Sequence, residues 1–103
     1  MITELRHYIA ADGKDAAMMD VMATHIRPIL ERLGFNIKNY WVDAADPKHH
    51  WYVMEWPSAQ AVQDGWAKFR ADEGWLKVKT AHGAVFGKVE AFVLRQVPGM
   101  KFG

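Results

Sequence analysis

The chain has 103 residues, half of them hydrophobic, with 13 Lys or Arg against 12 Asp or Glu, a formal charge of +1 and no Cys. That is one domain with enough apolar matter for its own core. Near-zero charge without a basic run argues against a nucleic-acid or anionic-membrane partner, and the missing Cys excludes a disulfide framework, a thiolate metal site and a Cys nucleophile.

The first element is a strand over Ile2 to Ile9. It alternates, with Leu5, His7 and Ile9 on one face and Glu4, Arg6 and Tyr8 on the other. Neither row has the composition of a solvent row, so the strand is expected to be central and covered on both sides. No charged segment followed by a short apolar run precedes it, and no long apolar span follows. The expectation is a soluble, cytoplasmic protein.

Ala11-Asp12-Gly13 reads as a turn, and Asp12 or Asp15 is a candidate cap for the helix after it. That helix is expected from about Lys14 to Leu33, its apolar stripe carried by Met18, Met22, Ile26, Ile29 and Leu33. His25 lies on the edge of the stripe. Pro28, well inside, should bend the helix and free the Thr24 carbonyl. Gly34 is placed to end it.

Phe35 to Asp43 reads as an edge strand, since it carries Asn36, Lys38 and Asn39. A turn through Asp46-Pro47 leads to a third strand, His49 to Trp56, apolar on both faces. Ser58 is a candidate N-cap for a second helix reaching about Arg70, with Val62, Trp66 and Phe69 on one face. Asp72 is a candidate cap for a further helical piece in which Trp75, Val78 and His82 share a face. Gly83 and Gly87 flank a turn, and Lys88 to Val97 reads as the last strand. Residues 1–98 form the domain and 99–103 a tail.

The order β-α-β-β-α-β predicts an α+β, ferredoxin-like fold: an antiparallel sheet with its helices on one face. The first and third strands are expected to be central, and parallel to each other. Strands three and four are apolar on both faces while helices cover only one. A second copy of the chain is therefore the expected cover for the bare face.

Four segments together resemble the NIPSNAP family: Glu4-Leu5-Arg6-x-Tyr8, the helix end from Arg27 to Phe35, the strand Tyr40-Trp41-Val42, and Phe69 to Trp75. The resemblance spans essentially the whole chain. It implies a dimeric α+β barrel, in which two sheets pack face to face. Relatives of that barrel include cofactor-free monooxygenases, polyketide cyclases, lactone isomerases and some haem enzymes. It also implies a ligand pocket between the sheet and the helices of one protomer.

From the residues, His7, His25 and His82 are candidate bases if all three look into one sheet–helix cavity. A desolvated imidazole is neutral at pH 7 and accepts a proton. Tyr40 is a candidate hydroxyl donor to a developing oxyanion. Arg6 could hold a ligand carboxylate in its planar fork, with Tyr8 beside it. Trp66 and Trp75 offer aromatic walls and Met22 an adaptable one. The plainer account is that each His satisfies a backbone carbonyl, the Met and Trp residues are core, and Glu4, Arg6, Glu55, Glu90 and Arg95 form an ion-pair network at the dimer interface. His49 and His50 point to opposite faces and cannot chelate one ion, so no metal is expected; no cofactor motif is present either. Two functions remain. One is a homodimer that binds a small hydrophobic or aromatic compound as a cofactor-free isomerase, cyclase or monooxygenase with a His base. The other is a non-catalytic dimeric binding module.

Overall fold

The computed structural model describes residues 1–103. Its elements are β1 (Ile2–Ala10), α1 (Asp15–Val21), a π-helical turn (Met22–Ile26), α2 (Arg27–Arg32), β2 (Asn36–Val42), β3 (His49–Trp56), α3 (Ala59–Ala71), α4 (Glu73–His82), a 3-10 turn (Gly83–Val85) and β4 (Phe86–Arg95). The four strands form one sheet in the order β2-β3-β1-β4. Every pairing in it is antiparallel. The expected α+β, ferredoxin-like architecture is therefore present. The parallel central pair is not, for a topological reason. A helical crossover returns β2 parallel to β1, and the hairpin then reverses β3, so β3 must run against β1.

The long first helix is continuous but not uniform. Pro28 has no N–H to give, and the helix widens just ahead of it. The Arg27 N–H donates to the Met22 carbonyl, five residues back. The distortion expected at Pro28 takes the form of this π turn, which turns Ile26 and Met22 into the core. Neither Asp12 nor Asp15 caps the helix; the capping position is Lys14, with no side-chain bond. Gly34, at φ 83°, ends it as expected. Ser58 and Asp72 do cap their helices, accepting from the Ala61 and Trp75 N–H groups at 3.1 Å each.

Strand β4 begins two residues earlier than expected. Phe86 pairs with Ala10 across a register shift. A Cβ on Gly87 would lie 3.0–3.1 Å from the backbone of Ile9, Ala10 and Ala11. Gly87 is thus a strand residue that lets two backbones approach, rather than a turn residue.

The helices cover one face of the sheet. Tyr8, Ala10, Tyr52, Met54 and Trp56 point into that layer and are buried with Met18, Met22, Ile26, Leu30, Trp66 and Phe69. Burial of each Leu- or Phe-sized side chain there contributes roughly 1.5–3 kcal/mol. The opposite face carries Leu5, Val53, Trp41, Phe92 and Leu94 by register. Trp41, Phe92 and Leu94 are more than two-fifths exposed. No helix is long and apolar enough to cross a membrane.

Candidate ligand site

Strand β1 sits in the sheet the other way round from the expectation. Glu4, Arg6 and Tyr8 face the helices, and Leu5, His7 and Ile9 face away, because the Cα register aligns the first three with the buried Met54, Tyr52 and His50. Polar residues can occupy that layer because they satisfy one another. The Glu4 carboxylate accepts from the indole N–H groups of Trp56 (3.0 Å) and Trp66 (2.7 Å) and from Arg6 Nη1 (3.2 Å). Arg6 Nη2 donates to the Tyr8 hydroxyl at 3.0 Å, which meets the Tyr52 hydroxyl at 2.7 Å. The guanidinium also lies over the Trp66 ring, 4.0 Å from its centroid. One polar atom in this row has no partner: the buried Arg6 Nε. The predicted ion-pair network is accordingly split by the sheet. Glu4 and Arg6 are on the helix side, while Glu55 pairs with Lys38 and Glu90 with His7 elsewhere.

A second polar row begins at Tyr52. Tyr40 stacks on its ring, with centroids 5.3 Å apart and planes 13° from parallel. The Tyr40 hydroxyl reaches His50 Nδ1 at 2.5 Å. Burial lowers the His50 pKa, opposed in part by a hydrogen bond to the Pro47 carbonyl and by the charge of Asp15. A neutral imidazole leaves Nδ1 able to accept the Tyr40 proton. Burial, helped by the neighbouring Tyr8, pushes the Tyr40 pKa well above that of a free phenol. Tyr52 is pushed up chiefly by burial too, with Arg6 opposing. Both phenols therefore stay protonated at neutral pH. Burial works against the Arg6 charge, yet the Tyr8 and Tyr52 oxygens and Glu4 hold its pKa above the ordinary guanidinium value.

Two cavities flank the Tyr8–Tyr52 pair. The larger, about 510 Å³, lies between the first helical region and the β2 edge, and Met22, Leu30, Tyr40 and Tyr52 line it. The smaller, about 260 Å³, lies between α3, α4 and the β1–β4 side of the sheet. Arg6, Tyr8, Trp66 and Trp75 all line it, with Ile26 from the π turn. The larger falls within the size range of small-molecule sites and the smaller just below it.

The structure thus brings Arg6, Tyr8, Trp66 and Trp75 together, and Met22 with Tyr40. The three candidate imidazoles join neither group. His7 is on the open face, stacked on Trp51 (3.8 Å between centroids), with Nδ1 2.8 Å from Glu90 and Nε2 2.9 Å from His49. His25 and His82 stack on each other at 4.8 Å where the π turn meets the end of α4, and line neither cavity. The expected convergence fails at β1, because it requires the apolar Leu5 and Ile9 to face the helices, and they face away. A signal against that reading existed: two buried indoles need an acceptor, and the carboxylate of Glu4 is the one that serves. Sequence reasoning also missed Tyr52 and the role of His50, since a phenol and an imidazole inside an apolar strand read as packing. No three His, Asp or Glu side chains gather as they would around a metal ion.

With a four-stranded antiparallel sheet, helices on one face and a ligand-sized space between the layers, the class is an α+β, ferredoxin-like domain. Residues 3–99 match the NIPSNAP family model, and the chain belongs to the NIPSNAP family. It is similar to a NIPSNAP domain protein from Burkholderia xenovorans (TM-score 0.82, 14% identity, 99% of this chain and 100% of that one). A NIPSNAP family protein from Agrobacterium tumefaciens is likewise similar (0.81, 19%, 95% and 94%). So, more distantly, is an antibiotic biosynthesis monooxygenase (0.70, 15%, 95% and 100%). At these identities the likeness is one of fold. No curated protein matches the chain.

Proposed function

We propose that this NIPSNAP protein is a homodimer that binds a small hydrophobic, aromatic compound between its sheet and its helices. The observation that carries the reading is the row Arg6–Tyr8–Tyr52, a set of polar groups built into the wall between two cavities. A layer that needed only to be packed would hold aliphatic side chains there at lower desolvation cost. The dimer follows from the apolar open face: Leu5, Val53, Phe92 and Leu94 in register form a surface that a second copy of the same sheet covers by two-fold symmetry. Titration with aromatic compounds, followed by the indole and backbone N–H resonances, tests the reading. Saturable shifts at Tyr8, Trp66 and Trp75 are expected, and their absence for every compound would favour the module that binds no small molecule.

One observation supports catalysis as a second reading. The Tyr40 hydroxyl is at the wall of the larger cavity, bonded to a neutral His50. That pair can take a proton from an acidic C–H or phenol with Tyr40 as the contacting oxygen and His50 as the final acceptor. In this form the cofactor-free isomerase, cyclase or monooxygenase uses His50, since His7, His25 and His82 line neither cavity. Turnover of a candidate substrate that survives both Tyr40→Phe and His50→Gln would remove this reading and leave the binding one intact.

A further inference from the structure

We infer that the compound held in the smaller cavity is an anion: a planar aromatic carboxylate or a group of the same charge and size. The inference rests on the ligand-binding reading above and adds the ligand's charge to it. Three cations line this cavity, Arg6 at its floor and Arg70 and Lys79 at its mouth, and no Asp or Glu does. The nearest buried acid, Glu4, is already occupied by two indoles and Arg6 itself. Arg6 spends Nη1 on Glu4 and Nη2 on Tyr8, which leaves Nε–H buried and without a partner. Glu4 is the one acid beside Arg6, so the three cations lining the cavity leave it with a surplus of positive charge.

The walls select for a flat ring. Trp66 and Phe69 stand edge to face at 5.2 Å, and Phe69 and Trp75 lie 4.9 Å apart at 31°. A planar guest can slide between such surfaces and the Phe86–Val89 edge of β4. The volume of about 260 Å³ corresponds to roughly nine water molecules at ~30 Å³ each, room for one ring or a fused pair. The larger cavity differs: its tyrosine pair offers neutral polar contacts beside the apolar Met22, and its charged lining includes Glu31 beside Arg27 and Lys38. The smaller one is the cavity whose charged lining has a single sign.

The test uses charged and neutral partners of the same shape: benzoate against benzyl alcohol, and 2-naphthoate against 2-naphthalenemethanol, by isothermal titration calorimetry on the full chain at pH 7.5. Each carboxylate should bind at least about tenfold tighter than its alcohol at low salt, with the preference shrinking as ionic strength rises. Arg70→Gln and Lys79→Gln, both at exposed positions, should each weaken the carboxylates by roughly three- to tenfold and leave the alcohols unchanged. Alcohols that bind as well as their carboxylates would overturn the inference and spare the ligand site. A carboxylate preference untouched by these two substitutions and by Arg6→Gln would also overturn it, because the anion would then be read elsewhere. No saturable binding by any of the four would overturn both this inference and the assignment of the cavity as a ligand site.

Discussion

Replacing Glu4 by Gln tests whether the layer between sheet and helices is organised electrostatically. The residue is 1% exposed and its Oε2 lies 3.2 Å from Arg6 Nη1, whose side chain is 14% exposed. The amide keeps an oxygen for the two indole N–H groups but places a neutral NH2 against the guanidinium. At an effective dielectric of 20, the lost attraction is about 5 kcal/mol at that distance. Removing one partner of a buried pair typically costs ~3–5 kcal/mol. Arg6 retains Tyr8 and a little solvent, so the lower end, about 3 kcal/mol, is expected. Glu4→Leu should cost more, because both indole N–H groups then lose their acceptor at about 1–3 kcal/mol each. Against a total of roughly 5–15 kcal/mol for a small domain, the Gln variant should fold with a clearly lower urea midpoint, and the Leu variant should be near collapse. Equilibrium urea unfolding at pH 7 with an unchanged m-value reads the difference. Adding Arg6→Met to Glu4→Gln should recover part of the loss, since no charge is then left unpaired. A loss below about 1 kcal/mol for Glu4→Gln, or no recovery in the double variant, would refute the reasoning.

Gly65 faces the rim of Trp56, and an added Cβ would lie 2.4–2.5 Å from that ring; because Glu4 pins the indole, Gly65→Ala should cost about 1–3 kcal/mol despite its better helix propensity, measured as a urea midpoint. Phe92 lies opposite Leu5 on the bare sheet face and is 42% exposed, so Phe92→Glu should reduce the proposed two-chain assembly to a single chain in sedimentation equilibrium while its far-UV circular dichroism stays unchanged. Asp72 caps α4 and is paired with Arg32 at 2.8 Å, and that pairing holds its pKa below the ordinary carboxylate value. A carboxyl with a depressed folded pKa contributes stability that is present above its unfolded pKa and lost as pH falls through the folded one. Asp72→Asn should therefore lower the urea midpoint at pH 7, and the gap to wild type should close on titration below pH 4; a gap that stays constant from pH 7 to pH 3 would count against the ion pair.

Elements were legible in the sequence wherever one local rule governed them. Ser58, Asp72 and Gly34 sit where caps are needed, and Val62, Trp66 and Phe69 fall on one helical face, so α3 and α4 could be placed before the structure. The two features that decide the site were not legible, for physical reasons. A strand's period of two fixes which residues share a face but not which face meets the helices, and in β1 the buried side is the charged one. Contacts between distant residues, such as Glu4 with Trp66, 62 positions away, and with Trp56, make that side favourable, and no local pattern reports them. The sequence places His25 at the edge of the first helix's stripe and His82 on the Trp75–Val78 face, but their mutual stacking depends on where α4 ends against the π turn. Arg6, Tyr8, Trp66 and Trp75 were nominated separately, for a guanidinium fork, a phenol and aromatic walls; the fold brings the four to one cavity.

The central proposal places a small molecule between the sheet and the helices of a two-chain protein. Native mass spectrometry of the protein purified gently from its host tests both parts in one spectrum. The account predicts a two-chain species carrying the added mass of a small compound, and loss of that added mass on mild collisional activation. A bare single chain, with no added mass under the gentlest conditions, would contradict it.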